Sequence, residues 1–292
     1  MPTITLLTFI VLALAIGAVW LKPVSFAAQA AVAPWAALFV LALLCGWIAG
    51  VLRAPAIVAL AMFAAAAWLT ATGSRKYVRI ISGIVTGLLA FALAIHKLPG
   101  FSNPVVIAGV VFSPGAAPFT QYANFDKGAV GLILLAFICS RVCSWAELGG
   151  VLKKTWPILL VTVAAVMAFA VGVGFVHPDF KLPSVTLQFI VVNLLFTVVA
   201  EEAFFRGFLQ ARLAASLARF RYGPWIAVIC CALLFGAAHL AGGTAYALLA
   251  AIAGLGYAYA YQATQRIEAP ILMHIVLNTV HFIGYTYPFV AR

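Results

Sequence analysis

The chain has 292 residues, of which 66% are hydrophobic and only 8% are charged, with a mean hydropathy of +1.16. A soluble domain is nearer a quarter charged, so this composition excludes an ordinary soluble protein and indicates an integral membrane protein. The net charge of +11 does not point to nucleic acid, because the Lys and Arg residues lie mostly between apolar segments, where they set topology and face anionic lipid headgroups.

Apolar stretches of about 17–25 residues are long enough to cross a bilayer as helices. The sequence contains ten such stretches, and two of the joints between them are very short. We therefore predict an all-α, polytopic transmembrane helix bundle of about eight to ten spans. The stretches are 3–21, 31–52, 54–72, 79–96, 127–143, 156–177, 185–209, 224–241, 244–262 and 269–287.

The longest connection, 97–126, is apolar but repeatedly interrupted by Pro and Gly. Such a segment fits an interfacial or re-entrant loop better than a solvated one. We therefore divide the chain into N-terminal transmembrane helices over 1–184, which include this loop, and a helix bundle over 185–292 that carries the polar motifs described below.

The distribution of Lys and Arg indicates the orientation. With ten spans, eleven of these residues lie on one side and five on the other, while Arg206 stays within the membrane. Since positively charged loops remain cytoplasmic, the richer side is predicted to be cytoplasmic, which puts Glu201 and His274 toward the cytoplasmic half of their helices. His239 falls near the far end of its segment and does not fit this arrangement. The poorer side collects Arg53, Lys97, Lys127, Lys181 and Arg292.

The first polar motif consists of Glu201, Glu202 and Arg206, in a chain with only six acidic residues. A charged side chain in hydrocarbon is costly, so it usually faces an interior or a wet cavity and marks a working site. Adjacent residues of an α-helix point about 100° apart, whereas residues four apart share a face and can form an ion pair. We therefore predict a pair between Glu202 and Arg206, which leaves Glu201 as the carboxylate without a neighbouring cation and as the candidate general base. A charge network that only fixes helix packing is the alternative.

Two more polar motifs follow along the chain. His239 comes four residues after Phe235, and His274 precedes Asn278 by four, so that His274 and Asn278 share a helix face. Two neutral hydrogen-bond donors on a buried face can hold an anionic oxygen, although interhelical polar contacts have the same signature. Together, the three motifs supply a base, an assisting group and an oxyanion stabiliser, which water needs to attack an amide carbonyl.

At these residues the sequence resembles the CAAX protease and bacteriocin-processing (CPBP, or Abi) family of intramembrane glutamic endopeptidases. The matching blocks are AEEAFFRGFL at 200–209, LFGAAH at 234–239 and APILMHIVLN at 269–278. Their order and spacing follow the family, and the stretch GLGY at 254–257 fits its intervening helix. The resemblance covers about 95 residues, 188–282.

The resemblance implies a peptidase that needs no cofactor. In it, Glu201 activates water and His239 assists. His274 and Asn278 stabilise the oxyanion of the tetrahedral intermediate. These roles agree with the argument from helix faces.

The resemblance also implies that Glu202 and Arg206 support the site. The expected partners are the lipid bilayer and a membrane-anchored protein or peptide substrate, with no nucleic acid and with the oligomeric state left open. The substrate is lipidated, sorting-tagged or bacteriocin-like, and the motifs do not separate these classes. The expected location is a bacterial inner (plasma) membrane.

Two other functions remain open at this point. Glu201, His239 and His274 together suit zinc, since two His and a Glu are common ligands, although no His-Glu-x-x-His helix is present. A non-enzymatic, proton-coupled transporter or scaffold also places ionisable groups inside the membrane. Transporters often contain repeated halves, and the polar motifs here cluster after residue 188 without a matching first half.

Overall fold

The computed structural model describes residues 1–27 and 30–291, so Arg292, counted above among the loop charges, lies outside the described residues. The described chain is predominantly helical, which confirms the predicted all-α class. The helices are α1 (Thr3–Gly17), α2 (Pro34–Ile48), α3 (Ala54–Thr72), α4 (Lys76–Ala94), α5 (Phe125–Phe137), α6 (Trp145–Gly172), α7 (Thr186–Asn193), α8 (Val199–Glu202), α9 (Ala211–Ser216), α10 (Gly223–Ala238), α11 (Thr244–Thr264) and α12 (Glu268–Gly284).

Each of the ten predicted apolar stretches contains a helix, and six helices of the described chain are long and apolar enough to cross a membrane. Two more, α2 and α10, are apolar but shorter. The chain is therefore an integral membrane protein. The six candidate spans are Thr3–Trp20, Ala54–Thr72, Lys76–Ala94, Trp145–Gly172, Thr186–Ser216 and Thr244–Thr264.

Helix α6 begins eleven residues before the predicted boundary at 156. Its N-cap is Ser144, whose hydroxyl accepts a hydrogen bond from the Glu147 backbone N–H at 3.1 Å. Ser with Glu three residues later is a typical helix start, but the polar turns that follow, including Lys153 and Lys154, interrupt the apolar pattern. The apolar pattern therefore located the apolar part of α6 and missed its polar first turns.

The described residues divide into two compact units, each drawn from three segments of the chain. Unit 1 consists of Met1–Pro104, Tyr122–Arg141 and Leu195–Phe204, and unit 2 of Val105–Gln121, Val142–Leu194 and Phe205–Arg292. The predicted division of the chain at 184/185 stays a prediction.

In unit 1, α5 packs against α1, α3, α4 and α8. Nearly all of its residues are buried, from Phe125 to Leu135, which is why it reads as a continuous apolar run. With thirteen residues it is only about 20 Å long at 1.5 Å per residue, against about 30 Å for the hydrocarbon core. We conclude that α5 is an internal helix of unit 1 rather than a full span.

In unit 2, α11 packs against α6, α10 and α12. Small residues permit this close approach: Gly236 of α10 faces Ala247 and Ala251, and Gly256 faces Thr162 of α6. At one end, stacked rings of Phe189 and Phe282, with centroids 4.1 Å apart, anchor an aromatic cluster. These contacts fix the relative positions of the helices that carry His239 and His274.

The connection 97–126 contains two strands that the sequence reading did not predict, β3 (Val105–Val110) and β4 (Phe119–Tyr122), which pair in a two-stranded sheet. A second small sheet pairs β1 (Val24–Ala27) with β2 (Ala30–Val32) in antiparallel fashion. The Gln188 side chain donates to the Val106 carbonyl at 2.9 Å and ties β3 to α7. The interfacial or re-entrant placement of this connection stays a prediction.

Candidate active site

Glu201 and Glu202 lie in the short helix α8, inside a continuous helix that runs from Thr186 to Ser216. On both sides of α8 the backbone widens to π-type hydrogen bonding, over Leu194–Val198 and Ala203–Gln210. Such π-turns are rare and occur frequently at functional sites. The four-residue spacing between Glu202 and Arg206 therefore runs through π-type turns, so the argument that α-helical geometry puts both on one face does not apply there. Their ion pair stays a prediction.

Glu201 has a cation beside it, contrary to the sequence prediction. The Lys127 ammonium lies 3.4 Å from Glu201 Oε1, and the two side chains are 18% and 16% exposed. The prediction was wrong because the partner comes from α5, 74 residues away in the chain. The absence of a cation therefore no longer supports Glu201 as the general base. Lys127 is thus partly buried in unit 1, paired with a carboxylate of another helix.

Arg206 is fully buried in unit 2. Its guanidinium lies over the rings of Phe235 and Tyr257, at 4.5 and 5.3 Å from the centroids, and Nη2 donates to the Gly254 carbonyl at 3.2 Å. Cation–π contacts are strongest where the cation is desolvated, so the two rings offset part of the cost of burying this charge.

His239 is the C-cap residue of α10. Its Nδ1 lies 2.7 Å from the Phe235 carbonyl oxygen. Because a carbonyl oxygen only accepts, Nδ1 must be the donor, which makes Nε2 the acceptor in the neutral ring. The Tyr246 ring packs edge-on at 5.3 Å. The backbone of α10 therefore selects the tautomer of His239 in which Nε2 can accept a hydrogen bond.

His274 of α12 is 6% exposed and stacks on Tyr257 with centroids 4.8 Å apart and an interplanar angle of 21°. It also meets the Phe235 ring edge-on at 5.8 Å, and the His239 ring lies 4.6 Å from the same ring. Phe235 thus contacts Arg206, His239 and His274, so the structure brings one residue from each of the three polar motifs around a single aromatic side chain.

Asn278 lies one turn after His274 on α12, as predicted, and donates from Nδ2 to Asn193 Oδ1 at 2.9 Å. This contact uses one of the two amide hydrogens of Asn278. Sequence reasoning missed Asn193, although an amide inside an apolar run eight residues before Glu201 was a usable signal. The Asn193 contact orients the carboxamide of Asn278 and leaves its second N–H for another acceptor.

Within the described residues, no group of three or more His, Cys, Asp or Glu side chains is arranged to hold a metal ion.

Residues 183–280 match the family described as type II CAAX prenyl endopeptidase, Rce1-like. The chain carries an Rce1-like domain. The match includes Glu201, His239, His274 and Asn278, in agreement with the resemblance noted from the sequence, and it excludes Lys127. No curated protein and no solved structure matched the chain. The Rce1-like domain and the membrane-spanning helices together support an intramembrane endopeptidase, a hydrolase that acts on a membrane-associated peptide substrate.

Proposed function

We propose that the protein is an intramembrane glutamic endopeptidase that hydrolyses a peptide bond near the C-terminus of a membrane-anchored protein or peptide. The observation that carries the proposal is the Rce1-like match over 183–280, which contains every residue of the three polar motifs. The arrangement of His239, His274 and Arg206 around Phe235 supports it. Polar groups in a membrane interior are costly, so they usually mark a functional site.

In the proposed reaction Glu201 accepts a proton from water while the oxygen attacks the scissile carbonyl carbon. His239 assists by accepting a hydrogen bond from that water at Nε2, which its Nδ1 contact with Phe235 leaves as the acceptor. When the tetrahedral intermediate collapses, Glu201 returns the proton to the amine of the leaving peptide, so that protons balance over the cycle.

His274 and Asn278 stabilise the negative charge that develops on the carbonyl oxygen. They lie one turn apart on α12, and Asn193 and Tyr257 hold them in place. Removing one such donor typically costs about 100- to 1000-fold in turnover. Glu202 and Arg206 support the site, Arg206 through its contacts with the Phe235 ring and the Gly254 carbonyl.

The proposal also covers the substrate class and the location of the enzyme. The substrate is a lipidated, sorting-tagged or bacteriocin-like chain, since these are the classes that the resemblance implies. The enzyme resides in a bacterial inner (plasma) membrane with the site toward the cytoplasmic half, because the loops on that side contain most of the Lys and Arg residues.

The test compares membrane-protein termini by mass spectrometry in cells that express the parental chain or Glu201→Gln. We expect a set of termini that disappears in Glu201→Gln and persists in the control Glu147→Gln. Glu147 forms a partly exposed ion pair with Arg266, and such pairs contribute little to stability. Termini unchanged in Glu201→Gln would refute the proposed base. Loss of the same termini on chelation, with stoichiometric metal in the purified active enzyme, would instead favour the zinc peptidase. Proton flux lost in Glu201→Gln, without any Glu201-dependent termini, would favour a transporter.

A further inference from the structure

A cluster of polar side chains at the start of α5 has no part in the chemistry above. Asp126 is 2% exposed on its side chain, although it lies at the first turn of a helix. Its Oδ2 is 2.6 Å from His96 Nδ1, and its Oδ1 accepts from Asn103 Nδ2 at 3.1 Å. A buried carboxylate is costly unless it is hydrogen-bonded, so these contacts explain why Asp126 is stable there.

The cluster fixes the backbone at the first turn of α5. The helix leaves its first N–H groups without intrahelical partners, and its N-cap residue, Asn124, makes no side-chain capping bond. Asn103 Oδ1 accepts from the Phe125 N–H at 2.8 Å, and Asp126 Oδ1 accepts from the Lys127 N–H at 2.9 Å. Two side chains thus cap the turn, and the main chain of Lys127 is held directly.

His96 is held in an unfavourable backbone conformation within this cluster. Its φ is +57°, in the left-handed region, which non-glycine residues seldom adopt and which is retained where the surroundings impose it. The loop that follows α4 turns at this residue, and the imidazole reaches Asp126. A glycine would adopt this turn more easily than a histidine. We therefore attribute the histidine at this position to the contact of its side chain with Asp126.

From this fixed turn, the Lys127 side chain extends to Glu201, with Nζ 3.4 Å from Oε1. The helices that carry the two residues also touch through their backbones. Gly131, one turn after Lys127, is so close to α8 that a Cβ there would lie 2.9 Å from Val199 Cγ1 and 3.1 Å from the Ala200 nitrogen. The backbone at both ends of the Lys127–Glu201 contact is therefore held by packing or hydrogen bonds. A side chain can orient a reacting group only if its own backbone is held in this way.

We propose that Lys127, held by the cluster of His96, Asn103 and Asp126, is the positioning residue for Glu201. The inference rests on the proposed function, because it assigns the means by which the water-activating carboxylate is oriented. Lys127 acts through the Glu201 carboxylate, which it contacts at Oε1, and the Rce1-like match does not include it.

The test uses the full-length protein in cells and, as its readout, the termini that disappear in Glu201→Gln. In Lys127→Met we expect their rate of formation to fall about 10- to 100-fold, the usual effect of losing about 1 Å of positioning. Lys127→Arg, which keeps a cation within reach of the carboxylate, should restore the rate to within about threefold of the parental rate. Lys154→Met makes the same chemical change at an exposed position of α6 and should leave the rate unaltered.

A second pair of variants tests the cluster. His96→Gly removes the ring while it relieves the left-handed backbone, and Asp126→Asn removes the carboxylate at almost constant size. If the cluster orients Lys127, both should lower the rate about threefold to tenfold, even though His96→Gly introduces no backbone strain. Parental rates in both would overturn the role of the cluster.

The outcomes separate the inference from the proposed function. If no terminus depends on Glu201, the proposed function fails first. If the termini depend on Glu201 and Lys127→Met forms them at the parental rate, only the inference fails. It also fails if Lys127→Met and Lys127→Arg lose the same activity together with a lower unfolding temperature, because a purely structural ion pair would produce that result.

Discussion

The close contact between Gly131 and the turn that precedes Glu201 gives a prediction that links packing to activity. In Gly131→Ala the new methyl would lie 2.9 Å from Val199 Cγ1 and 3.1 Å from the Ala200 nitrogen. Ordinary contact between such atoms starts near 3.4 Å, so α5 and α8 must separate by about 0.3–0.5 Å. The displaced atoms belong to the backbone and to a branched side chain, so no flexible chain end can absorb the movement.

The size of the effect follows from two opposing contributions. Overpacking a buried contact costs about 1–3 kcal/mol, while replacing a helical Gly by Ala contributes about 1 kcal/mol in the opposite direction. The net change in unfolding free energy is therefore small, from about zero to about 2 kcal/mol. The rate should fall even where the stability is unchanged, because half of a 1 Å misplacement corresponds to about tenfold in rate.

Gly150→Ala is the matched control for this prediction. It also replaces a helical glycine, in α6, where a Cβ meets nothing within 4 Å. Thermal unfolding in detergent and the rate of formation of Glu201-dependent termini should be measured for both variants. We expect Gly150→Ala to match or exceed the parental stability at full activity. A Gly131→Ala variant with the parental rate would contradict the reasoning, since it would show that the position of α5 does not affect Glu201.

Two further predictions concern the side chains that hold the site in unit 2. Arg206→Lys should lower the unfolding free energy by about 1–3 kcal/mol in detergent, because a compact ammonium cannot contact both rings and the Gly254 carbonyl as the planar guanidinium does. The control is Arg219→Lys, which changes an exposed Arg that lies over Phe220. Equal losses of stability in the two variants would exclude a special role for the buried rings. Asn193→Leu removes the acceptor for Asn278 and should slow formation of the termini about threefold or more, since such bonds contribute about 0.6 kcal/mol on average in membranes. Thr279→Val, which breaks one hydrogen bond within α12, should change the rate less, and the reverse order would refute the role of Asn193.

Local signals were enough to predict the helices and the spacing of candidate residues within one helix. Apolar runs located helices because lipid-facing and buried positions are apolar alike. Residues predicted from short spacings to lie on one helix also do so, as His274 and Asn278 lie on α12. The block LFGAAH even contained Phe235, the ring against which both histidines lie. Its role as a shared contact was not readable, because three helices must pack before one side chain can touch all three motifs.

What the sequence did not reveal depends on backbone register and on distant segments. A π-type turn differs from an α-helical turn by one residue in its hydrogen bonding, and the apolar pattern around Glu201 is the same for either. The Lys127–Glu201 pair joins residues 74 apart, beyond any helical spacing. Lys127 also opens an apolar stretch, where a lysine normally indicates a membrane boundary, so the sequence alone gave no sign of its contact with Glu201.

Residues outside the segment that matches the Rce1-like family therefore also contact Glu201 and the turn before it. The match begins at residue 183, yet the cation beside Glu201 and the helix packed against its turn both come from α5. The α5 helix is too short to cross the bilayer and almost entirely buried, so anchoring in lipid does not explain its presence. Its polar first turn is capped by Asn103 and Asp126, and its middle packs on α8 at Gly131. An internal helix with these two features is better explained as a support for Glu201 than as one more membrane span.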